Sequence, residues 1–452
     1  VHVALALSMV LLIGDVCAQE NWPQWRGPDL NGVSTATNLA ETWNETESIV
    51  WKTPLPSWSG GTPIIWGDRI FITSPSKAEA KQPSPPQQEE GGGRRGRRGG
   101  EDRDPGGETL LLICISKTDG AVLWTRELGK GNELHRKQND SSPSPVTDGE
   151  HVWVVTGTGA VAAFDMSGTM IRQRNLQEDY GPFGLNWGYA SSPLLHDGKL
   201  IIEVLHGNNT DDPCYIVAID AMSGNELWRE ERPTDAEEES PDAYTTPALL
   251  RYDGKTQIVI SGSDYVTGHD PETGKEIWRA GGLNPRKRGN YRIVASPVVV
   301  DDMIYAPSRK KPLLALRAGG TGDVTASHLV WKWDAEAAPD VPTPACDGTY
   351  FYMVDDRGVI TCLNAKTGEV IWGPERTAQG TVSASPLLAD GKIYITNEEA
   401  VTTVLAAGPE FKLLATNELP GGGYTLTSLA VSGSRLFMRT ATHLYCIGKK
   451  TD

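Results

Sequence analysis

The chain has 452 residues, with 49 Gly, 30 Pro and 14 Trp against only 6 Phe, and a formal net charge of -16. That charge opposes general affinity for nucleic-acid phosphates or anionic membranes, which require a basic field. Abundant Gly and Pro among short β-branched runs argue against long helices and for an all-β fold, and no apolar run beyond the extreme N-terminus is long enough to span a bilayer as a helix.

Residues 3–13, VALALSMVLLI, have the length of a signal-peptide apolar region, and Val16-Cys17-Ala18 presents small residues to a signal peptidase. Residues 1–18 are therefore expected to be an export signal, placing the mature chain in the periplasm or outside the cell. No Lys or Arg precedes the apolar run. Gly14, Asp15 and Val16 make a poor lipid-attachment context for Cys17, so soluble export is favoured. The mature chain keeps Cys114, Cys214, Cys346, Cys362 and Cys446, with no adjacent pair and no CxxC, so neither a disulfide framework nor a zinc site is indicated.

After a lead-in over residues 19–48, which contains NWPQWRGPDLNGVS, a repeat occupies residues 49–450. Its phase is marked by a Ser/Thr-Pro pair: Thr62-Pro63, Ser142-Pro143, Ser192-Pro193, Thr246-Pro247, Ser296-Pro297, Thr343-Pro344 and Ser385-Pro386, with a degenerate Thr427-Ser428. After the first unit the steps run from 42 to 54 residues, the length of a four-stranded propeller blade with variable loops. Segments such as SSPLLHDGKLIIEV followed by YIVAIDAMSGNELW read as strand, Asp-Gly turn, strand, loop, strand, Ser/Thr-Gly turn, strand.

The second half of the unit has a fixed spacing. Asp220, Asp270 and Asn364 stand four residues before Gly224, Gly274 and Gly368 and eight before Trp228, Trp278 and Trp372; Ser116, Gly120 and Trp124 match with Ser in the first place. The Asx side chain is expected to cap the turn, Gly to supply the left-handed residue, and Trp to dock from the outermost strand onto a neighbouring blade. Cys114, Cys362 and Cys446 share one slot of this half-repeat, in LICIS, ITCLN and LYCIG, as small buried residues. The final unit contains three strands, and Ile49 to Thr53, with Trp51, has the look of the missing fourth. The expected architecture is an eight-bladed β-propeller whose ring is closed by an N-terminal strand; seven blades plus a flap is the alternative. Residues 77–108 interrupt the first unit between its second and third strands with charges, Gly and Pro and no aromatic, and are expected to be a disordered low-complexity insertion.

The A-x-D-x-x-T-G-x-x-x-W pattern resembles the tryptophan-docking repeat of quinoprotein-type propellers, the PQQ-like repeats shared by quinoprotein alcohol dehydrogenases and the assembly factor BamB. The resemblance covers roughly residues 49 to 450. In the dehydrogenases it implies an axial quinone with calcium or a lanthanide held by carboxylates and amides, a nearby cationic side chain, an Asp base and often a disulfide between adjacent cysteines. This chain has no adjacent cysteines and no recognisable ligand set, so no catalytic residue and no metal ligand is assigned. What the resemblance implies first is a non-catalytic, exported, monomeric scaffold of the BamB kind, binding a protein or anionic polymer without a cofactor and without specific nucleic-acid recognition. A PQQ-dependent dehydrogenase using PQQ with calcium is the alternative.

If the Asp-Gly and Thr-Gly turns share one face, the variable loops gather on the other, where binding residues belong. The candidates there are His135, Arg136, Asn186, Trp187, Arg286, Arg288, Tyr291, Arg292, Arg309 and Lys310, a basic and aromatic concentration in an acidic chain suited to an acidic partner. The competing reading is solvated loop charge, with Trp187 and Tyr291 as packing residues. Trp51, Trp124, Trp228, Trp278 and Trp372 are assigned to structural docking.

Overall fold

Blades 1 to 7 are antiparallel sheets in which chain order is also spatial order, most of their strands being joined by tight turns or short loops. The computed structural model describes residues 20–449 apart from 45, 79–103, 208, 337, 420 and 422. The expected export signal and most of the low-complexity insertion lie outside the described residues. Blade 1 is typical: Ile64–Trp66, Arg69–Pro75, Thr109–Ser116 and Val122–Lys130 run from the axis to the rim. Blades 2 to 7 occupy residues 146–175, 194–231, 248–280, 298–333, 345–376 and 387–417. Blade 8 takes Ala430–Ser432, Arg435–Arg439 and His443–Ile447 from the end of the chain and Ile49–Pro54 from its beginning, with Trp51 opposite Cys446. The ring is an eight-bladed propeller closed by that N-terminal strand.

The half-repeat spacing works as its chemistry suggests. Asp220 accepts the N–H of Ser223 at 2.6 Å, and Asn364 accepts those of Lys366 and Thr367 at 2.9 and 3.0 Å. Gly224 and Gly368 follow with φ of +70° and +73°. The indole N–H of Trp51, Trp124, Trp228 and Trp372 then crosses to a carbonyl of the next blade: Lys117 (3.0 Å), Met166 (3.2 Å), Pro271 (3.1 Å) and Gly408 (2.9 Å). Room for the ring comes from small residues opposite it on the third strand. Cys114, Ala218, Cys362 and Cys446 are the cross-strand partners of Trp124, Trp228, Trp372 and Trp51.

Trp278 departs from the docking expected of it. Its N–H bonds Gln257 of its own blade at 2.8 Å, because blade 5 joins its third and fourth strands through 318–328 and offers no Asx-Thr-Gly turn to receive it. The ring still packs among Ile304, Leu314 and Leu316 of blade 5. Trp331, which the spacing rule passes over, docks instead from blade 5 onto Ala365 O at 2.9 Å.

The lead-in crosses the face that carries the turns. Trp22 bridges Ile65 in blade 1, Pro23 O accepts from Thr147 in blade 2, Val33–Ser34 pairs in parallel with Leu387–Ala389 in blade 7, and Trp43 N donates to Asn417 on that blade's rim. Between these contacts it passes over the axis. Of the insertion, residues 104–107 are held by Trp58, whose indole donates to Asp104 O at 2.7 Å, and by Asn132, whose amide donates to the carbonyls of Pro105 and Gly107.

Candidate functional site

The inner strand of each blade starts just after a hydroxyl residue: Thr62, Ser144, Ser192, Thr246, Ser296, Thr343, Ser385 and Ser428. The backbone N–H of each donates to the side-chain oxygen of the next, at 2.9–3.2 Å, and Ser428 returns to Thr62, so eight bonds close a ring around the axis. In the second unit the equivalent pair is Ser144-Pro145. Ser142-Pro143, expected in that role, lies two residues nearer the loop face, where Ser142 Oγ accepts from Asn139 N.

This ring is one layer of an axial cavity of about 520 Å³. The residues two positions earlier in each blade, among them Gly60, Ser142, Tyr244 and Leu426, form a second layer, as strand periodicity requires. Trp25 of the lead-in lies on the cavity wall at the turn-face end. Beside it Arg26, fully buried, donates to Pro386 O at 2.9 Å, to Asn31 O at 3.0 Å and to Pro344 O. Those two prolines directly follow ring residues, so the guanidinium sits just beneath the hydroxyl layer.

The mouth opens on the loop face. Six of the ten candidates line it: His135, Arg136, Trp187, Arg292, Arg309 and Lys310, together with Lys137. Arg136 lies over the Trp187 ring, 5.1 Å from its centroid, and the Trp187 N–H donates to Glu239 at 2.8 Å. His135 faces Asp140 at 3.0 Å, which raises its pKa. Lys137 is held by Glu398 at 2.7 Å. Arg292 stands 3.5 Å from Asp340, whose carboxyl burial pushes up to about 6. Asp356, also raised by burial, accepts the N–H of Val341 at 3.1 Å. Lys310 is exposed, and Arg309 Nε is buried without a partner.

The other four candidates do not line the cavity. Arg286 and Arg288 are exposed in the neighbouring loop, where Lys287 pairs with Asp235 at 2.7 Å. Asn186 accepts from Asn209 at 2.8 Å beside the mouth. Tyr291 is 5% exposed, and its hydroxyl both donates to Lys311 O and accepts the Lys311 N–H, so it braces the 309–311 loop from within. Trp25, Arg26 and the hydroxyl ring escaped the reading of the sequence as site residues. The signal was present in the ring, since a hydroxyl recurs in one slot of every unit, but it served there only as a phase marker.

A family model described as outer membrane protein assembly factor BamB matches residues 108–329 and 322–408. The chain belongs to that family. Among curated relatives of the family member, the BamB of Alkalilimnicola ehrlichii is 27% identical over 170 residues, covering 35% of this chain and 42% of its own. A tetrathionate hydrolase of Acidithiobacillus ferrooxidans is 24% identical over 266 residues, covering 52% of this chain and 48% of its own. The chain thus spans about half the length of the curated relatives it matches. Among solved structures, BamB from Moraxella catarrhalis superposes with a TM-score of 0.57 at 16% identity, over 89% of this chain and 99% of that one. A europium-containing methanol dehydrogenase gives 0.67 at 11% identity, over 95% and 98%. Both likenesses show the fold.

The basic mouth suits the carboxylates of a quinone. Calcium takes 6–8 oxygen ligands, and among the described residues no group of three or more His, Cys, Asp or Glu is placed to hold a metal. Asp340 and Asp356 in the wall are engaged by Arg292 and by backbone N–H groups.

Proposed function

We propose that this chain is an exported, non-catalytic propeller that binds a protein or polymer partner on its loop face, a monomeric scaffold in the periplasm or outside the cell. The observation that carries this is the placement of charge. The lead-in covers the turn face across the axis, while the loop face presents Arg136, Arg292, Arg309 and Lys310 around a recessed mouth in a chain of net charge -16. An acidic group on a partner is the complement of that mouth, and rim charges of this kind steer association. The BamB name of the family supports a protein partner.

The test is capture from the native envelope by the purified chain, compared with Arg136→Glu/Lys310→Glu. The expected result is a partner retained by the wild type and lost, by tenfold or more, in the reversal. Equal capture by both proteins would remove the loop mouth from the account. The axial cavity itself favours a second reading, a PQQ-dependent dehydrogenase, because the fold is shared with a methanol dehydrogenase. Dye-linked alcohol oxidation that appears only on adding PQQ and calcium would replace the scaffold with the enzyme.

A further inference from the structure

We propose that the base of the axial cavity is a binding site for a small oxyanion, held by the O–H groups of the Ser/Thr ring and the indole N–H of Trp25, above the guanidinium of Arg26. Three observations converge there. First, each ring oxygen is occupied as an acceptor by a backbone N–H, and among the described residues no acceptor takes the hydroxyl protons; eight buried O–H donors therefore line one level of the cavity. Second, Trp25 lies on the wall of the same cavity, and its Nε1 is buried without a partner. Third, Arg26 is fully buried, bonds only carbonyls, and no described carboxylate pairs with it; its Nε has no partner.

A surplus of donors asks for an acceptor, and a buried cation without a counter-charge asks for an anion. Burial alone lowers the Arg26 pKa to about 9, the direction that a bound anion reverses. The entrance agrees in sign. Basic side chains outnumber acidic ones there, and the two carboxyls in the wall, Asp340 and Asp356, are both shifted toward their neutral form. The chemistry required is that of sulfate, phosphate or a carboxylate, whether a free ion or the side chain of a partner reaching down the axis. The inference does not rest on the scaffold reading, since a small anion can occupy the base whatever binds the face.

The experiment titrates the full-length protein with sodium sulfate and sodium acetate against sodium chloride at matched ionic strength, reading the melting temperature and the heat of binding. Saturable stabilisation by an oxyanion, and not by chloride, is expected. Trp25→Phe keeps an aromatic ring and removes the N–H, and Thr343→Val removes one hydroxyl; each is expected to weaken the oxyanion about three- to tenfold, the worth of one hydrogen bond. Should Thr343→Val fail to fold, Trp25→Phe alone decides. Equal effects of chloride and sulfate would overturn the site, as would unchanged sulfate affinity in Trp25→Phe. So would sulfate affinity lost in Arg286→Glu/Arg288→Glu but kept in Trp25→Phe. A tetraglutamate peptide that displaces sulfate assigns the site to a partner's carboxylate; one that does not assigns it to a free ion. Envelope capture is read separately, so either proposal can fail while the other stands.

Discussion

Glu203 lies in the second strand of blade 3, Lys199–Val204, and is 1% exposed. One carboxyl oxygen accepts from Thr245 at 2.7 Å and the other has no partner, an arrangement suited to a protonated acid. Burial pushes its pKa from the ordinary 4.5 up to about 8. The folded state therefore holds this proton more tightly than the unfolded chain does, and between those two values it binds more protons, so stability falls as pH rises through the window. Glu203→Gln, which mimics the neutral acid, is expected to flatten that dependence and to be more stable than wild type at pH 8 by about 2–4 kcal/mol, with little difference near pH 4. Denaturant melts of both proteins from pH 4 to 8 measure it, and parallel pH profiles would contradict it. Nothing in the sequence singled out this residue, because its burial depends on blade 4 supplying Thr245. The cysteines were legible: three of them recur where a docked indole needs a small neighbour, and all three are buried.

At the scale of the blade, the docking tryptophan is the unit of cohesion between neighbours. The spacing of Asx, Gly and Trp identified the docking of Trp124, Trp228 and Trp372 from sequence because turn, bulge and indole are local consequences of it. It overreached at Trp278 and missed Trp331, both for one reason: the long link in blade 5 removes the turn that the rule assumes. Where no Trp is present, other side chains take the place. Arg172 of blade 2, opposite Ala163, lies against Gly224, and Ala415 of blade 7 stands opposite Val404. Trp331 is 8% exposed and bonded across the blade boundary. Trp331→Ala is expected to cost about 3–5 kcal/mol in denaturant unfolding, as buried Trp truncations do; a loss below 1 kcal/mol would show that the 5–6 boundary is held elsewhere.

For the whole molecule, period and strand count sufficed for eight blades and for the closing strand, since both are one-dimensional properties of the sequence. The axial cavity was not legible, because it is assembled from one residue in each of eight units and from a lead-in that no repeat logic places. That lead-in ties blades 1 and 2 to blade 7 across the end of the axis. Deleting residues 20–44 while keeping the strand from Ile49 is expected to leave the ring closed, to lower the melting temperature, and to open the turn-face end of the axis. Hydrogen exchange at Leu387–Ala389, which pairs with Val33–Ser34, reads this directly; unchanged protection there would mean the lead-in contributes no restraint.

Blade 8 also sets the order of events on the ribosome. Its outer strand is among the first parts of the ring to be synthesised, yet its partner, His443–Ile447, emerges about 400 residues later. Seven blades can form during translation, but the pairing that fastens the circle has the largest sequence separation of any strand pairing among the described residues and is correspondingly slow to form. Until then Ile49–Pro54 is an unpaired edge exposed to other chains. Until Ile49–Pro54 meets His443–Ile447 the blades form an open strip, and only that pairing makes them a ring.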